Sequence, residues 1–384
     1  MAPLKHVLLA GCLLTPVAAV GKPSSDVYSE RRARLADEIG GDPIVVPGAY
    51  LIRADQEKQD PDFWYLTGVE SPYAILVLVG SGPPREDHLF LPDEHQFARA
   101  QYPMDDERFR VAVWNRPVKR LAPGDTGDRA TNMKTHRLDD FTGTLKDLIG
   151  DRKRLLFARD NRSLYAPSGL NPPLSTRQQL ERAIADRLQN VRIEDVTPHI
   201  HRMGAIKDDF EIAAHRRAAE IRRKGLIEVM RATRPGMNDR EIAGLMEYVW
   251  KKEGSVGPSF GPIVASGTDA MTLFTLRAES YNAVDRVIKT GDLLFVDYGA
   301  AEHEMYSSDL CRTWPDSGRF TPDQKIVLEA QEAAIRTVPP GVMMLDVIRA
   351  AAEVFRQHGL EEYEDIERMG ADRVWGIMPS PRIN

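Results

Sequence analysis

The pattern of hydrophobic and polar positions changes near residue 196, with short apolar runs before that point and longer amphipathic segments after it. In the first part, apolar runs bounded by Gly, Pro or charged residues predict strands, and apolar residues at helical spacing predict helices. The strands are expected at 43–47, 63–68, 74–79 and 89–92, and the helices at 29–39 and 176–188. Strands interleaved with helices indicate an α/β domain, in which the aperiodic segment 117–135 is an excursion on the surface.

The second part of the chain predicts long helices around a few strands. Residues 208–231 mix apolar and charged positions as an amphipathic helix does. Asn238 and Glu241 have the spacing of a capping box, so a second helix is expected to begin there. Thr321 followed by proline predicts another helix start, and 345–357 predicts one more amphipathic helix.

A pair of acidic residues lies at the ends of two predicted strands in this part. Residues 293–296 form an unbroken apolar run before Asp297, which is typical of a strand buried on both faces, and 305–310 are expected to return beside it. If the turn centres near His303, Asp297 and Asp309 are opposite or nearly opposite, with their Cβ atoms about 4.5–5.5 Å apart. Two carboxylates that close require a shared proton, a basic partner or bound cations. Two strand-end aspartates that face solvent in different directions are the alternative.

Length and composition describe an ordinary globular protein. The chain has 384 residues, enough for two domains with separate cores. Its 42% hydrophobic and 28% charged content is that of a soluble domain protein, and its net charge of -6 argues against a broadly electrostatic nucleic-acid binder.

The N-terminus has the pattern of an export signal. Residues 7–20 are apolar, too short to span a bilayer but suited to a secretory signal, so 1–19 is expected to be a signal peptide cleaved after Ala19. The mature protein is then expected to be exported, either periplasmic or secreted, without a transmembrane segment. A lipoprotein cleavage box ending at Cys12 and an uncleaved helix are the alternatives. Cleavage would leave Cys311 as the only cysteine and no intramolecular disulfide.

Several motifs resemble the catalytic domain of aminopeptidase P and prolidase, the pita-bread metallopeptidases. They occur in the expected order at 259–267, 291–300, 306–313 and 318–324. Residues 62–68, followed by 74–79, are similar to the N-terminal domain of aminopeptidase P.

The resemblance implies two domains and a defined reaction. An α/β N-terminal domain at 20–196 would precede an α+β pita-bread catalytic domain at 203–384. Two divalent ions, commonly manganese with zinc or cobalt as alternatives, would activate water to hydrolyse the first bond of a peptide with proline at the second position. Asp297 matches the family's first metal ligand, and Asp309 matches the aspartate that bridges both ions. Carboxylates suit hard ions such as Mn²⁺. Relatives of this kind are commonly oligomers, so a homo-oligomer is expected.

One departure from the family concerns a catalytic histidine. Aligning the family's motif after Ser266 and Gly267 puts Phe274 where members normally carry a histidine that stabilises the reacting carbonyl. A phenyl ring neither donates a hydrogen bond nor transfers a proton. Another group must therefore serve, or the step is weakened.

A second departure concerns the remaining metal ligands, one histidine and two glutamates, which the family supplies in its last third. No histidine follows His358, which is expected at a helix C-terminus. The later glutamates are expected to be solvated, and they are Glu361, Glu362, Glu364 and Glu367. The catalytic domain is thus expected to be incomplete at its C-terminus, as a truncated gene product or a fragment.

Two other functions fit the same residues. Phe274 and the missing ligands favour a catalytically inactive pita-bread protein that binds peptides, whereas a metal-free reaction of the creatinase kind would need a positioned histidine base. His199 and His201 could be ligands on one strand face, but linker positions are the expectation. Tyr298 and Tyr306 are expected to pack in the sheet rather than act as acids.

Overall fold

A computed structural model describes residues 25–49, 59–71, 73–82, 85–92, 121, 123–159, 174–255, 257–271, 285–299, 301–302 and 305–360. The expected signal peptide, Cys12, Phe274, His303 and the glutamates after residue 360 lie outside these residues. The chain divides into two compact units, Met1–Phe210 and Glu211–Asn384. In the ranges given above, every helix is too short or too polar to cross a bilayer.

The first unit contains a mixed sheet with helices on both faces. Its helices are α1 (Ser25–Ile39), α2 (Pro61–Thr67), α3 (Asp125–Thr131), α4 (Phe141–Ile149), α5 (Thr176–Arg187) and α6 (Thr197–Ala205). Its strands are β1 (Ile44–Pro47), β2 (Ile75–Val79), β3 (Glu86–Leu91), β4 (Lys134–Arg137), β5 (Arg154–Phe157) and β6 (Arg192–Asp195). They pair in the order β4-β3-β2-β1-β5-β6. The contacts of β2 with β1 and β3 are antiparallel, and the others are parallel.

The central strands of this sheet are buried on both faces because they are apolar at every position. Every residue of β1 and β2 is buried. On one face Ile44 packs with Leu35 of α1, and on the other Val45 packs with Phe141 of α4. The α/β class predicted for the first part of the chain is therefore confirmed.

The predicted strand at 63–68 is wrong, because these residues form helix α2. The Asp60 carboxylate accepts hydrogen bonds from the backbone N–H groups of Asp62 (3.1 Å) and Phe63 (3.0 Å), and proline occupies the first turn. Gly68 ends the helix with φ 64°, a left-handed conformation that glycine adopts without strain. Aromatic residues favour strands, but here the caps at both ends prevail.

The predicted surface excursion at 117–135 is also wrong where the structure describes it. Helix α3 and the beginning of β4 lie within this segment, and residues 134–137 extend the sheet beside β3. The Asp128 carboxylate supports the turn between them by accepting from the Thr135 N–H (2.7 Å) and hydroxyl (2.5 Å). Because polar side chains make these contacts, the sequence of this segment shows no hydrophobic periodicity.

The second unit has long helices against two small antiparallel sheets. Its helices are α7 (Asp209–Ala232), α8 (Asp239–Lys252), α9 (Pro322–Arg336) and α10 (Met344–Gln357). Its strands are β7 (Gly257–Pro258), β8 (Val264–Ser266), β9 (Leu293–Val296), β10 (Ala301–Glu302) and β11 (Arg312–Pro315). One sheet has the order β11-β9-β8, and the other pairs β10 with β7.

The helix starts predicted for this unit are confirmed by their caps. The Asn238 backbone N–H donates to Glu241 Oε1 at 3.0 Å, while the Asn238 side chain accepts from the Arg240 N–H. Thr321 makes the equivalent capping box at α9. His358 is the C-terminal capping residue of α10, as expected, and its Nε2 lies 3.1 Å from Glu329 Oε2.

The core of this unit is centred on Trp250 of α8. Its ring packs against Tyr298, with 4.9 Å between ring centroids, and belongs to the same apolar cluster as Ile221, Leu294 and Trp314. The cluster joins α7 and α8 to strands β9 and β11, so the end of β9 is held by packing from both helices.

Candidate metal centre

Asp297 directly follows the central strand of the β11-β9-β8 sheet. The last three residues of β9 are buried, as expected for a strand covered on both faces. The Asp297 backbone N–H donates to the Ile263 carbonyl at 2.9 Å, which extends the pairing with the β8 side by one residue. The Asp297 side chain is half-buried, and its Oδ1 is buried without a hydrogen-bond donor in the described part of the chain.

The strand that pairs with β9 begins later than the sequence pattern predicts. Residues 305–310 are not that strand, since the pairing partner is β11, in register Arg312 with Val296. The chain first pairs β10 with β7 and then passes through Met305, which has φ 66°. Continuing the register places Cys311 beside Asp297 and Asp309 two positions away. Because strand side chains alternate with period two, Asp309 remains on the same face as Asp297.

The two carboxyl groups influence each other directly. Burial raises the pKa of Asp297, and the negative charge of Asp309, whose carboxyl group lies within hydrogen-bonding reach, raises it further. Asp309 itself is exposed. The predicted proximity of the two aspartates is thus found, and the alternative in which they face different directions is not.

A basic partner that sequence reasoning missed lies beside this pair. The Arg222 side chain of α7 is fully buried, and the positive charge of Arg222 opposes the rise in the pKa of Asp297. Burial lowers the pKa of Arg222 to about 10, against the effect of both aspartates, so the guanidinium stays charged at neutral pH. A signal was present in the sequence, because Arg222 is four residues from both Ala218 and Leu226 and so shares their apolar helix face.

Two tyrosines near the pair have structural contacts. Tyr298 is buried, and its hydroxyl donates to Glu247. This hydrogen bond adds to the effect of burial, and both raise the pKa of Tyr298 far above its ordinary value. The Tyr306 hydroxyl donates to Glu211 Oε1 at 3.3 Å, and its ring meets His215 edge-on at 5.1 Å. These contacts agree with the packing roles expected for both side chains.

The loop after Asp297 is fixed by a close backbone approach. A Cβ at Gly299 would lie 2.2 Å from the carbonyl oxygen of Phe260. Glycine is therefore required here, and the contact ties the residues after β9 to the segment before β8.

Two further histidines highlighted by the sequence belong to the first unit. His199 and His201 are on helix α6 of the first unit, not on a strand, with contacts to Glu38 (2.7 Å) and Asp62 (3.3 Å). A ligand pair on one strand face is therefore excluded.

The carboxylate pair fits a divalent cation as part of a ligand set. Asp297 Oδ1 is a buried hard oxygen to which none of the described residues donates, and Asp309 adds a second carboxylate on the same face. Across the described ranges, no group of three or more His, Cys, Asp or Glu side chains converges on one point. Phe274 and Glu361, Glu362, Glu364 and Glu367 lie outside those ranges, so their expected roles remain predictions.

Comparison with known proteins agrees with this arrangement. The model of metallopeptidase family M24 matches residues 213–370, and that of the aminopeptidase P N-terminal domain matches 28–157. The Xaa-Pro aminopeptidase of Escherichia coli is 28% identical over 352 residues, which cover 84% of this chain and 70% of that protein. The Xaa-Pro aminopeptidase of Haemophilus influenzae is 26% identical over 344 residues, which cover 85% of this chain and 70% of that protein.

Solved structures show the same fold. Pseudomonas aeruginosa aminopeptidase PepP superposes with a TM-score of 0.71 at 26% identity, over 91% of this chain and 77% of that chain. Zn-substituted E. coli aminopeptidase P in complex with product superposes with a TM-score of 0.71 at 23% identity, over 92% of this chain and 78% of that chain.

The fold and the aspartate pair define the class of this protein as a pita-bread metallopeptidase with an additional N-terminal α/β domain. The two domain matches follow one another along the chain, at residues 28–157 and 213–370. The chain belongs to the aminopeptidase P family.

Proposed function

We propose that this protein is a metal-dependent Xaa-Pro aminopeptidase, which removes the N-terminal residue from peptides with proline at the second position. The observation that carries the proposal is the Asp297–Asp309 pair at the end of β9, in a chain similar over most of its length to enzymes of that name. Proline lacks a backbone N–H, so cleavage before it calls for a dedicated enzyme.

The two aspartates hold the divalent ions in this proposal. The Ile263 hydrogen bond fixes the backbone of Asp297, and the Gly299–Phe260 approach fixes the loop that follows. Both contacts limit the directions in which the Asp297 carboxylate can point. When bound, divalent ions supply a hydroxide nucleophile at neutral pH and stabilise negative charge on the reacting carbonyl. Manganese is the metal we propose, with zinc and cobalt as alternatives, since all three accept carboxylate ligands.

Hydrolysis by purified full-length protein tests the proposal. With Mn²⁺ present, we expect release of the first residue from an Xaa-Pro tripeptide but not from the matched Xaa-Ala tripeptide. Asp297→Asn and Asp309→Asn are each expected to lower kcat/KM about 100-fold or more, because a metal ligand is lost.

A charge-matched control comes from Asp323, an exposed residue in the first turn of α9. Asp323→Asn is expected to retain wild-type kcat/KM. Absence of turnover by a folded, Mn²⁺-saturated wild-type protein would contradict the proposed activity.

A second candidate function is peptide binding without catalysis, which the buried charge of Arg222 beside the carboxylates favours. It predicts that the Xaa-Pro tripeptide binds in calorimetry and is recovered intact. Release of the first residue at a rate that responds to Asp297→Asn would exclude it.

We further propose that the protein is exported after removal of residues 1–19 and that it assembles as a homo-oligomer. The apolar N-terminal stretch supports the first statement, and the resemblance to the family supports the second. A cell-associated protein that still starts at Met1 would contradict export, and a monomeric mass in light scattering would contradict assembly.

A further inference from the structure

Arg222 is a buried cation to which no described residue offers a hydrogen-bond acceptor. Its side chain is fully buried, and Nε, Nη1 and Nη2 have no hydrogen-bond partner in the part of the chain that the structure describes. A guanidinium has five N–H donors, and removing them from water without partners is costly. Some compensation for this charge must therefore come from its surroundings.

Arg32 in the first unit shows how a buried arginine is normally satisfied. It is also fully buried, but its Nε donates to Asp87 Oδ2 at 2.7 Å and its Nη1 to the Leu66 carbonyl at 2.9 Å. These bonds explain Arg32 as a structural residue. Among the described residues Arg222 has no such set of partners, so their packing alone does not explain a charged residue at its position.

The negative charges that act on Arg222 come from the candidate metal centre. Asp297 has the largest opposing effect and Asp309 the next, while Arg312 adds positive charge of its own. Arg223, the next residue along α7, points to solvent and pairs with Glu220 at 2.7 Å. The Ser308 hydroxyl donates to the Ala218 carbonyl at 3.2 Å, which places the residue before Asp309 one turn of α7 from Arg222. Of the two adjacent arginines, Arg222 is therefore the one on the helix face that the segment carrying Asp309 covers.

We propose that Arg222 is a built-in counter-charge for the Asp297–Asp309 pair, which stabilises the metal-free fold and weakens the binding of divalent ions at that pair. The inference rests on the proposed function, in which the two aspartates bind metal. Each ion that enters brings two positive charges next to a cation that cannot leave, so repulsion opposes its binding. The same cation reduces the repulsion between the carboxylates when no ion is present.

Thermal unfolding in EDTA tests the first half of this proposal without metal. Because the pKa of Asp297 is raised, its charged carboxylate is unfavourable in the folded protein at neutral pH, and Arg222 reduces that cost. Asp297→Asn is therefore expected to raise the unfolding temperature by about 5 °C or more in an Arg222→Met background, and by clearly less in the otherwise wild-type protein. An equal or larger rise in the otherwise wild-type protein would overturn the counter-charge role. Arg222→Gln, which also removes the charge, takes the place of Arg222→Met if that variant does not fold.

Titration of the full chain with Mn²⁺ in a calorimeter tests the second half. Arg222→Met is expected to bind Mn²⁺ at least about tenfold more tightly than wild type, whereas Arg222→Lys, which keeps the charge, remains close to wild type. Arg223→Met removes the same charge from the exposed neighbour and is expected to change nothing.

The outcomes separate this inference from the proposed function. Equal Mn²⁺ affinity in wild type and Arg222→Met, with binding abolished by Asp297→Asn, would overturn the inference and leave the metal site standing. Mn²⁺ binding that Asp297→Asn does not alter would place the metal elsewhere. It would overturn both the proposed ligands and the effect of Arg222 on them.

Discussion

Gly225 of α7 is a residue at which two opposing effects can be compared. A Cβ there would lie 2.4 Å from Nε1 of Trp250, which is fully buried. Glycine normally costs a helix about 1 kcal/mol relative to alanine, whereas overpacking a core costs about 1–3 kcal/mol. At this position the cost of overpacking outweighs the gain in helix propensity, because α7 and α8 approach each other closely.

Gly225→Ala is therefore expected to lower the free energy of unfolding by about 1–2 kcal/mol. Urea denaturation monitored by tryptophan fluorescence measures the change. Gly244→Ala is the matched control, because Gly244 lies within α8 with open space around it, and it is expected to be stabilising. Stabilisation by both substitutions would contradict the close packing of α7 on α8.

Asp239, the first residue of α8, gives a pH-dependent prediction. Its side chain is fully buried, and burial raises its pKa to about 6 despite the nearby Ser266 and Arg286. A raised carboxyl pKa means that the folded state binds more protons than the unfolded state between about pH 4 and 6. Its contribution to the free energy of unfolding is therefore largest at low pH and is lost as the pH rises through 6.

Asp239→Asn, which is neutral throughout, is expected to raise the free energy of unfolding by about 2 kcal/mol at pH 8 and by much less at pH 4.5. Thermal unfolding at both pH values measures the difference. Asp323→Asn, at the exposed start of α9, is the control and is expected to be slightly destabilising at pH 8 through loss of a favourable helix-end charge.

Individual residues show what sequence could and could not predict about the site. Strand periodicity predicts that Asp297 and Asp309 lie close together. The observed register puts Cys311, rather than Asp309, opposite Asp297, but a shift of two residues keeps Asp309 on the same face of the sheet. Arg222 was missed because a charged residue in an amphipathic pattern is normally assigned to the solvent face. Only the three-dimensional neighbourhood shows which charges are withdrawn from water.

At the scale of elements, strands β3 and β4 bring two histidines together at the edge of the first sheet. His88 Nδ1 lies 2.9 Å from His136 Nε2, and the rings are stacked with 5.2 Å between centroids. Burial lowers the pKa of both histidines, and the positive charge of Lys134 lowers both further. Glu86 raises the pKa of His88, but by less than burial lowers it. A lowered histidine pKa means that the unfolded state binds more protons below about pH 6.5.

The first unit is therefore expected to have its full stability above pH 6.5 and to lose stability as the pH falls. His136→Gln should reduce this loss, measured as the difference in unfolding temperature between pH 7.5 and 5.5. His358→Gln, on α10 of the second unit, is the control and should leave the loss unchanged. An equal loss in wild type and His136→Gln would show that the pair does not couple to folding.

The elements also differ in how far sequence predicted them. The capping box at Asn238 and the proline after Thr321 marked helix starts correctly, because both are local signals with a fixed spacing. The sequence pattern predicts a strand at α2, because a short run of aromatic residues occurs both in strands and in buried helices. The Asp60 cap and Gly68 were the signals that distinguish them.

At the scale of the whole molecule, the α/β class of the first unit was predictable from alternating strand and helix patterns, and the pita-bread class of the second only from resemblance. The second unit has strands of two to four residues, too short to give a periodic signal. Motifs around Asp297 and Asp309 were specific because their order along the chain was retained.

The mixed sheet of the first unit has a consequence for biosynthesis. Strand β1 pairs with β2 nearby in the sequence and with β5 far from it, and the Asp42–Arg154 ion pair that accompanies the second pairing joins residues 112 positions apart. At a synthesis rate of about 5–20 residues per second, β1 waits roughly 6–20 s for that partner. During this interval a fully apolar strand has one open edge, so the nascent chain depends on early helix packing or a chaperone to avoid pairing with its neighbours.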